Sequence, residues 1–170
     1  MGQKNIVFIG FMGSGKTLVS RELEKSLPYK RISTDDLIEE REGITIAEIF
    51  EQKGEAYFRS LEKIVIDEIS QQCGLIVDCG GGVVLNPKNI EKLRKTGIVI
   101  NLAVTAEQVL KNTKGSTHRP LLQDDDPLKK IRTLLDERRP LYKNADYSII
   151  SDGRPIPELI QDVLKVIENV

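Results

Sequence analysis

The sequence predicts a three-layer α/β/α fold in which a five-stranded parallel sheet lies between helices. Short apolar runs alternate with stretches of helical periodicity along the chain, an order that is typical of parallel strands joined by crossover helices. Residues 75–77, Leu-Ile-Val, are apolar without alternation, as expected for a strand buried on both faces. A glycine-rich turn follows the first strand and opens a helix, which is the usual place of a phosphate-binding motif.

The predicted elements account for most of the 170 residues, which we expect to form a single domain, 1–170. Thr45 and Thr105 each stand three residues before Glu or Gln, which is the capping-box pattern of a helix start. Asn86 and Asp126 each place a capping side chain before a proline at the first helical position. The predicted strands are 5–9, 30–33, 75–79, 98–102 and 147–150, and the predicted helices are 16–27, 36–42, 46–52, 55–72, 88–95, 106–113, 128–143 and 156–168.

Residues 10–17, Gly-Phe-Met-Gly-Ser-Gly-Lys-Thr, fit the phosphate-loop pattern G-x-x-x-x-G-K-[ST] between a strand and a helix. The glycines let backbone N–H groups point at a phosphate, and the helix N-terminus adds its positive dipole. We expect Lys16 to reach the β- and γ-phosphates and the Thr17 hydroxyl to ligate Mg²⁺. The motif therefore predicts a site for a nucleoside triphosphate.

A second pocket is predicted beside three consecutive glycines, 80–82, that follow a strand. Ligands of open α/β sheets bind at this edge, and a loose turn would need fewer glycines, so we expect a ligand floor. Arg59, with Glu62 three residues later to orient it, and the pair Arg138 and Arg139 are singly more typical of a solvated surface. Together with Asp35 they suit a small hydroxylated carboxylic acid, because a guanidinium binds a carboxylate bidentately.

Two segments interrupt the alternation of strands and helices. Residues 34–60 contain charged helices without a strand, which indicates an insertion beside the sheet. Residues 112–126 are polar and rich in turn formers, which is typical of a disordered loop or of a lid. Arg119 favours the lid, because phosphoryl transfer is aided by a mobile guanidinium.

Six stretches, in order and with matching spacing, resemble shikimate kinase. They are GFMGSGKT at 10–17, STDDLIEE at 33–40, GEAYFRSLE at 54–62, GGG at 80–82, RPLL at 119–122 and RRPLY at 138–142. The resemblance implies a phosphate-loop NTPase fold like that of the nucleoside monophosphate kinases, with strand order 2-3-1-4-5, a substrate-binding region near 34–60 and a lid. It also implies Mg²⁺-dependent transfer of a phosphoryl group from ATP to shikimate, giving shikimate 3-phosphate.

The resemblance also implies roles for single residues. Asp35 is expected to hold the ring hydroxyls, Arg59 and Arg138 to clamp the carboxylate, and Arg119 to reach the transferred phosphoryl group. Lys16, Asp35 and Arg119 are then the expected catalytic residues. Further expected contacts are Gly13, Ser14, Gly15, Thr17, Leu18, Arg154 and Pro157 for the nucleotide, and Gly80, Gly81 and Gly82 for shikimate.

Three positions depart from the family pattern. Ser33 stands where an aspartate near the metal is usual, and Asp78 stands where serine or threonine is usual. Residues 76–78 fit a Walker B strand, so one interpretation moves the metal carboxylate to Asp78, to act with Thr17; the alternative is a cap of the glycine turn. Asn112 replaces an arginine that stacks on adenine, which predicts weaker nucleotide binding, by ~0.5–2 kcal/mol, or looser base selectivity, unless Lys111 or Lys114 substitutes for that arginine.

The composition limits other functions. With 25 basic and 26 acidic residues the net charge is −1, which argues against nucleic-acid and membrane-surface roles. Cys73 and Cys79 are too few for a disulfide framework, and no apolar run approaches the ~18 residues of a bilayer span. We therefore expect a cytoplasmic protein, and a monomer.

Three other functions are weighed against this one. A kinase of the same architecture could take gluconate or a nucleoside monophosphate as the acceptor. A GTP switch protein is suggested by D-x-x-G at 78–81, but the N-K-x-D guanine motif is absent from the sequence. A non-catalytic ATP-gated binding module is kept open by Ser33.

Overall fold

A computed structural model describes residues 3–114 and 126–169. Within these ranges one sheet of five parallel strands has the order β2-β3-β1-β4-β5. The strands are β1 Asn5–Ile9, β2 Lys30–Ser33, β3 Leu75–Asp78, β4 Gly97–Ala103 and β5 Tyr147–Ile150. The predicted fold class and strand order are therefore confirmed.

Helices cover both faces of the sheet. They are α1 Lys16–Ser26, α2 Thr34–Glu42, α3 Ile46–Lys53, α4 Glu55–Ile69, α5 Pro87–Thr96, α6 Ala106–Thr113, α7 Pro127–Tyr142 and α8 Ile156–Glu168, with a 3₁₀ turn at Val83–Leu85. None of the helices in the described part of the chain has the length and apolar character needed to cross a membrane.

The two faces of the sheet carry separate cores, because side chains alternate along a strand. On β1, Ile6 and Phe8 pack into a core that α1 and α8 complete. Val7 and Ile9 pack into the other core, which residues of α4, α5, α6 and α7 complete. All four of these β1 side chains are fully buried. The sheet is thus a rigid platform whose carboxyl edge positions the loops that follow β1, β2 and β3.

The start of α2 corrects a prediction. The helix begins at Thr34, directly after β2, and not at residue 36. The reason is a cap, because Ser33 Oγ accepts a hydrogen bond from Asp36 N at 3.2 Å. This brings Asp35 into the first turn of α2, at the carboxyl edge of the sheet.

The other predicted helix starts are mostly confirmed. Thr45 forms a complete capping box. Thr105 forms half of one, because its hydroxyl accepts from Gln108 N while the Gln108 amide donates to Asn112. The predicted caps at Asn86 and Asp126 are both present.

Candidate active site

The phosphate loop joins β1 to α1, and hydrogen bonds within the loop hold it together. Gly15 precedes the first turn of α1 with φ of 94°, a left-handed conformation that favours glycine. Lys16 is buried, and its Nζ donates to Gly10 O at 2.8 Å and to Phe11 O at 3.0 Å. Because a phosphate would compete for the same ammonium group, the binding of a nucleotide requires Lys16 to give up carbonyl contacts for phosphate oxygens.

A contact from α6 holds this loop from outside. Asn112 Nδ2 donates to Gly13 O at 2.8 Å, and Asn112 Oδ1 in turn accepts from Gln108 Nε2 at 2.7 Å. The sequence predicted a role for Asn112 at the adenine ring only. The structure uses its amide against the loop backbone, 99 residues away in the chain.

The three glycines after β3 make room for charged side chains. A Cβ atom on Gly80 would overlap Asp35 Oδ1, and a Cβ atom on Gly82 would overlap the Arg59 guanidinium. A Cβ atom on Gly81 would meet only ordinary contacts, including Arg138 Nη1 at 3.9 Å. The sequence predicted a floor for a ligand, and the structure adds that two of the glycines also admit the side chains beside it.

Arg59 is held by two glutamates of its own helix, α4. Its guanidinium donates to Glu62 Oε2 at 3.0 Å and to Glu55 Oε1 at 3.3 Å. Glu62 is buried, and burial raises its pKa while the positive charge of Arg59 opposes the rise. The predicted orientation of Arg59 by Glu62 is confirmed, so this guanidinium is fixed before any ligand arrives.

Arg138 reaches the same floor from α7. Its Nη1 donates to Gly81 O at 3.2 Å, and its guanidinium carbon lies 5.5 Å from the centre of the Phe11 ring. The neighbouring Arg139 is exposed and pairs with Asp136. Since consecutive Cα atoms are about 3.8 Å apart, the guanidinium groups beside Gly81 and Gly82 converge on one small region, and Arg139 does not join them.

Asp35 lies beside Gly80, in the same cavity wall as the loop and the two arginines. Its Oδ1 is buried and has no hydrogen-bond partner in the ranges that the structure describes. Burial raises the pKa of Asp35 to about 6, while the positive charge of Lys16 opposes the rise. An unpartnered buried oxygen is costly, so this carboxyl is suited to accept a hydrogen bond from a ligand hydroxyl.

Asp78 ends β3 and has a partner that the sequence did not reveal. Its Oδ2 accepts from Arg31 Nη2 at 2.6 Å, and both side chains are largely buried. Ser33 lies opposite Asp78 in the strand register, but its hydroxyl is used to cap α2. Among residues 3–114 and 126–169, no group of three or more His, Cys, Asp or Glu side chains could hold a metal. A metal role for Asp78 and Thr17 stays a prediction.

The far end of the cavity is built at the start of α8. Arg154 donates to Ile150 O at 3.0 Å and pairs with Asp162 at 2.7 Å. Arg154 and Ile156 line the cavity, whereas Pro157 is exposed on the first turn of α8 and lies outside the wall. Ile156 is therefore a candidate for base contacts that the sequence did not single out.

One cavity of about 1400 Å³ joins these parts. Its volume exceeds the ~300–1,000 Å³ typical of a single small-ligand site, which suits a nucleotide together with a second small molecule. Arg119 and most of the predicted lid, 112–126, lie outside the described residues. The predicted residues in the cavity wall are Gly13, Ser14, Gly15, Lys16, Thr17, Leu18, Asp35, Arg59, Asp78, Gly80, Gly81, Gly82, Arg138 and Arg154.

The chain is similar to known proteins along nearly its whole length. A family model described as shikimate kinase matches residues 12–168. A shikimate kinase of Caldanaerobacter subterraneus subsp. tengcongensis is 46% identical over 162 residues, which are 95% of each chain. A structure of shikimate kinase from Acinetobacter baumannii in complex with shikimate has a TM-score of 0.93 and 38% identity, covering 98% of this chain and 94% of that one. The shikimate kinase of Aquifex aeolicus has a TM-score of 0.81 and 32% identity, covering 97% and 96%.

Proposed function

The chain belongs to the shikimate kinase family, and we propose that it transfers the γ-phosphoryl group of ATP to the 3-hydroxyl of shikimate. The products are ADP and shikimate 3-phosphate, an intermediate of chorismate and aromatic amino acid biosynthesis. The observation that carries this proposal is the position of Asp35. Its Oδ1, which has no hydrogen-bond partner among the described residues, lies in one cavity wall with the phosphate loop and two guanidinium groups.

The acid end of the cavity, formed by Asp35, Arg59, Arg138 and the glycines 80–82, binds the carboxylate of shikimate. Arg59 and Arg138 offer planar donors beside neighbouring glycines, and a guanidinium pairs bidentately with a carboxylate. Glu62 fixes the first arginine, and Phe11 lies under the second. Because both groups are already oriented, little side-chain entropy is lost when the acid binds.

Asp35 orients the attacking hydroxyl. Its Oδ1 accepts the hydrogen bond of the 3-hydroxyl and takes up the proton late in the transfer. A pKa of about 6 leaves the carboxyl mostly ionised at neutral pH, as this role requires. The transition state of phosphoryl transfer is loose, so position matters more here than base strength.

The nucleotide end neutralises charge on the phosphates. The N–H groups of the loop and the ammonium of Lys16 bind the phosphate oxygens, and Arg119, which lies outside the described residues, is the proposed guanidinium for the transferred group. Arg154 and Ile156 support the base at the far end.

Magnesium fits the residues beside the phosphate loop. Mg²⁺ is usually held by one or two protein oxygens together with phosphates and water. Thr17 is exposed on the first turn of α1, and Arg31 occupies only the Oδ2 oxygen of Asp78. The Thr17 hydroxyl and, through water, Asp78 Oδ1 would hold the ion, which neutralises the β- and γ-phosphate oxygens when it is bound.

The proposal extends to a single cytoplasmic chain. Support comes from the cavity, whose wall in the described ranges is supplied by one chain from phosphate loop to clamp. The described wall already contains the phosphate loop and both clamp arginines of one chain, as binding by a monomer would require.

The test is ADP release with ATP alone, with shikimate, and with 3-deoxyshikimate, gluconate or AMP as alternative acceptors. We expect ADP to form in step with shikimate 3-phosphate and only when shikimate is present. ADP release at the same rate without shikimate, or equal release with gluconate or AMP, would contradict the proposal. No ADP under any condition would favour a binding module.

A further inference from the structure

Arg31 is a buried cation beside the active site that the proposed reaction does not use. It lies on β2, and its side chain is 12% exposed. Nη2 donates to Asp78 Oδ2 at 2.6 Å, and Nε donates to Ser20 Oγ at 2.8 Å. The exposed Asp36 lies further off, with its Oδ2 at 4.0 Å from Nη1. Arg31 is thus bound on two sides by residues of two other elements, β3 and α1.

The strand register explains how Arg31 reaches both partners. Arg31 pairs with Ile76 and Ser33 pairs with Asp78, so Arg31 lies one step behind the carboxyl edge. Residues two apart on a strand share a face, and here it is the face that α1 covers. The arginine therefore extends under α1 towards the end of β3.

Ser20 continues the chain of contacts to the phosphate loop. Its hydroxyl accepts from Arg31 and donates to Thr17 O at 3.1 Å, which uses the one donor of the serine and one of its two acceptor sites. Asp78, Arg31, Ser20 and Thr17 thus form one connected series. Its two ends, Asp78 and Thr17, are the residues proposed to serve the magnesium ion.

We propose that Arg31 is a positioning residue for this magnesium site. It holds the buried carboxyl of Asp78 through Oδ2, so that Oδ1 would be left to face a water of the ion's shell. Through Ser20 it also ties Asp78 to the first turn of α1. This inference rests on the proposed kinase function and adds to it the residue that aligns the two protein contacts of the metal.

The sign of the effect follows from two opposed contributions. Removing the positive charge of Arg31 would by itself increase the attraction of Asp78 for a cation. A buried carboxylate that loses its hydrogen-bonded partner, however, turns away from its position, because its desolvation is no longer offset there. We expect the second contribution to dominate, since Asp78 is only 5% exposed. Loss of Arg31 should therefore weaken magnesium binding.

The experiment measures how strongly Mg²⁺ increases the affinity for ADP, by calorimetry with and without the ion. Arg31→Met and Asp78→Asn should each reduce that increase about tenfold, as is typical when a residue behind a metal ligand is removed. The double variant should be no worse than either single one, because both act through one contact. Arg31→Lys should restore part of the effect.

The matched control is Arg94→Met, which removes another arginine–aspartate pair, with Asp146, outside the cavity. It should leave the Mg²⁺-dependent increase unchanged. The KM for shikimate should stay within about twofold in every variant, because the series does not touch the acid clamp.

Two results would overturn the inference. One is an Arg31→Met protein that folds, phosphorylates shikimate and shows the wild-type increase of ADP affinity with Mg²⁺. If Arg31→Met does not fold, Asp78→Asn and Ser20→Ala decide, and wild-type behaviour in both is the second result. A wild-type protein that binds ADP with Mg²⁺ but never phosphorylates shikimate would instead refute the proposed function.

Discussion

The two ends of the cavity are built in different ways. The phosphate-binding part of the nucleotide end comes from one continuous stretch, residues 10–18, whose backbone forms one loop and one helix start. The acid end is assembled from α2, α4, α7 and the turn after β3, which contribute Asp35, Arg59, Arg138 and the glycines 80–82. A local motif specifies the first end, whereas the second exists only once the sheet has brought distant segments together.

The two ends also differ in how their charges are satisfied. Lys16 is bound to carbonyl groups of its own loop. Arg59 is already aligned by Glu62, and Asp35 Oδ1 has no hydrogen-bond partner in the part of the chain that the structure describes. Nucleotide binding must therefore rearrange contacts, while the acid meets a preset site. The difference predicts that substitutions at the nucleotide end lower turnover, and that substitutions at the acid end lower the affinity for shikimate.

The largest effect is expected at the nucleotide end. Lys16→Met should lower kcat by ~10²–10⁵-fold, because charge neutralisation on the transferred group is most of the catalysis. Shikimate should bind as before, since its clamp is on other elements. Steady-state kinetics with calorimetry of shikimate binding checks this. A loss confined to the KM for shikimate would mean that the two ends are not separate.

The clamp should show the opposite pattern. Arg59→Ala should raise the KM for shikimate by ~10–100-fold, because charge-assisted hydrogen bonds contribute about 1.5–3 kcal/mol each. The affinity for ATP should not change, and kcat should fall less than the KM rises. Arg139→Ala is the matched control, because this exposed arginine pairs only with Asp136 among the described residues. Equal effects of Arg59→Ala on ATP and shikimate would argue against a clamp.

Asp35 links the ends, and its titration tests the burial that makes the site. Its pKa rises from 3.8 to about 6 on folding, so the native state holds the proton more tightly than the unfolded chain. The free energy of unfolding should therefore fall as the pH rises from about 4 to 6, by about 1–3 kcal/mol.

Asp35→Asn removes that loss of stability. The variant should unfold at higher urea concentration than the wild type at pH 8 and at a similar concentration at pH 4, while its activity is lost. Asp36→Asn is the control, because this neighbour is exposed. A constant difference between Asp35→Asn and the wild type from pH 4 to 8 would show that Asp35 is not buried as described. In the wild type, kcat/KM for shikimate should fall below pH 6.

Within the acid end, substitutions of the three glycines should differ in their effect on the KM for shikimate. Gly80→Ala should displace Asp35 and Gly82→Ala should displace Arg59, raising the KM for shikimate about tenfold. The displaced atoms are ends of side chains and not backbone, so the free energy of unfolding should change by less than about 1 kcal/mol. Gly81→Ala, whose Cβ meets only ordinary contacts, is the control. Equal losses in all three variants would mean that the backbone itself, and not the room for side chains, matters.

Local signals predicted the fold well, and topology decided the rest. β1, the phosphate loop and α1 follow from one continuous stretch, and α6 and α8 have the predicted bounds. The start of α2 was missed because Ser33, taken as a lost metal residue, caps the helix.

Long-range contacts in the site were not predicted from the sequence. The pair Arg31 and Asp78 is 47 residues apart in the chain and forms only because β2 lies beside β3 in one register. The need for glycine at 80 and 82 likewise depends on side chains from α2 and α4. Alternate residues of a strand share a face, so the sequence of β2 does place Arg31 on the same face as Ser33. This is the one signal that pointed to Arg31.

The smallest effect tests whether the nucleotide end is as local as its motif. Asn112 is the long-range support of the loop, through Gly13 O. Asn112→Ala should raise the KM for ATP by ~2–10-fold, the range of one neutral hydrogen bond, and should raise the KM for GTP alike, because the lost contact is to the loop and not to a base. Lys130→Ala, exposed on α7 and outside the cavity wall, is the control. If only the KM for ATP rises, Asn112 contacts the adenine base and not only the loop. The wild type should then turn over ATP faster than GTP.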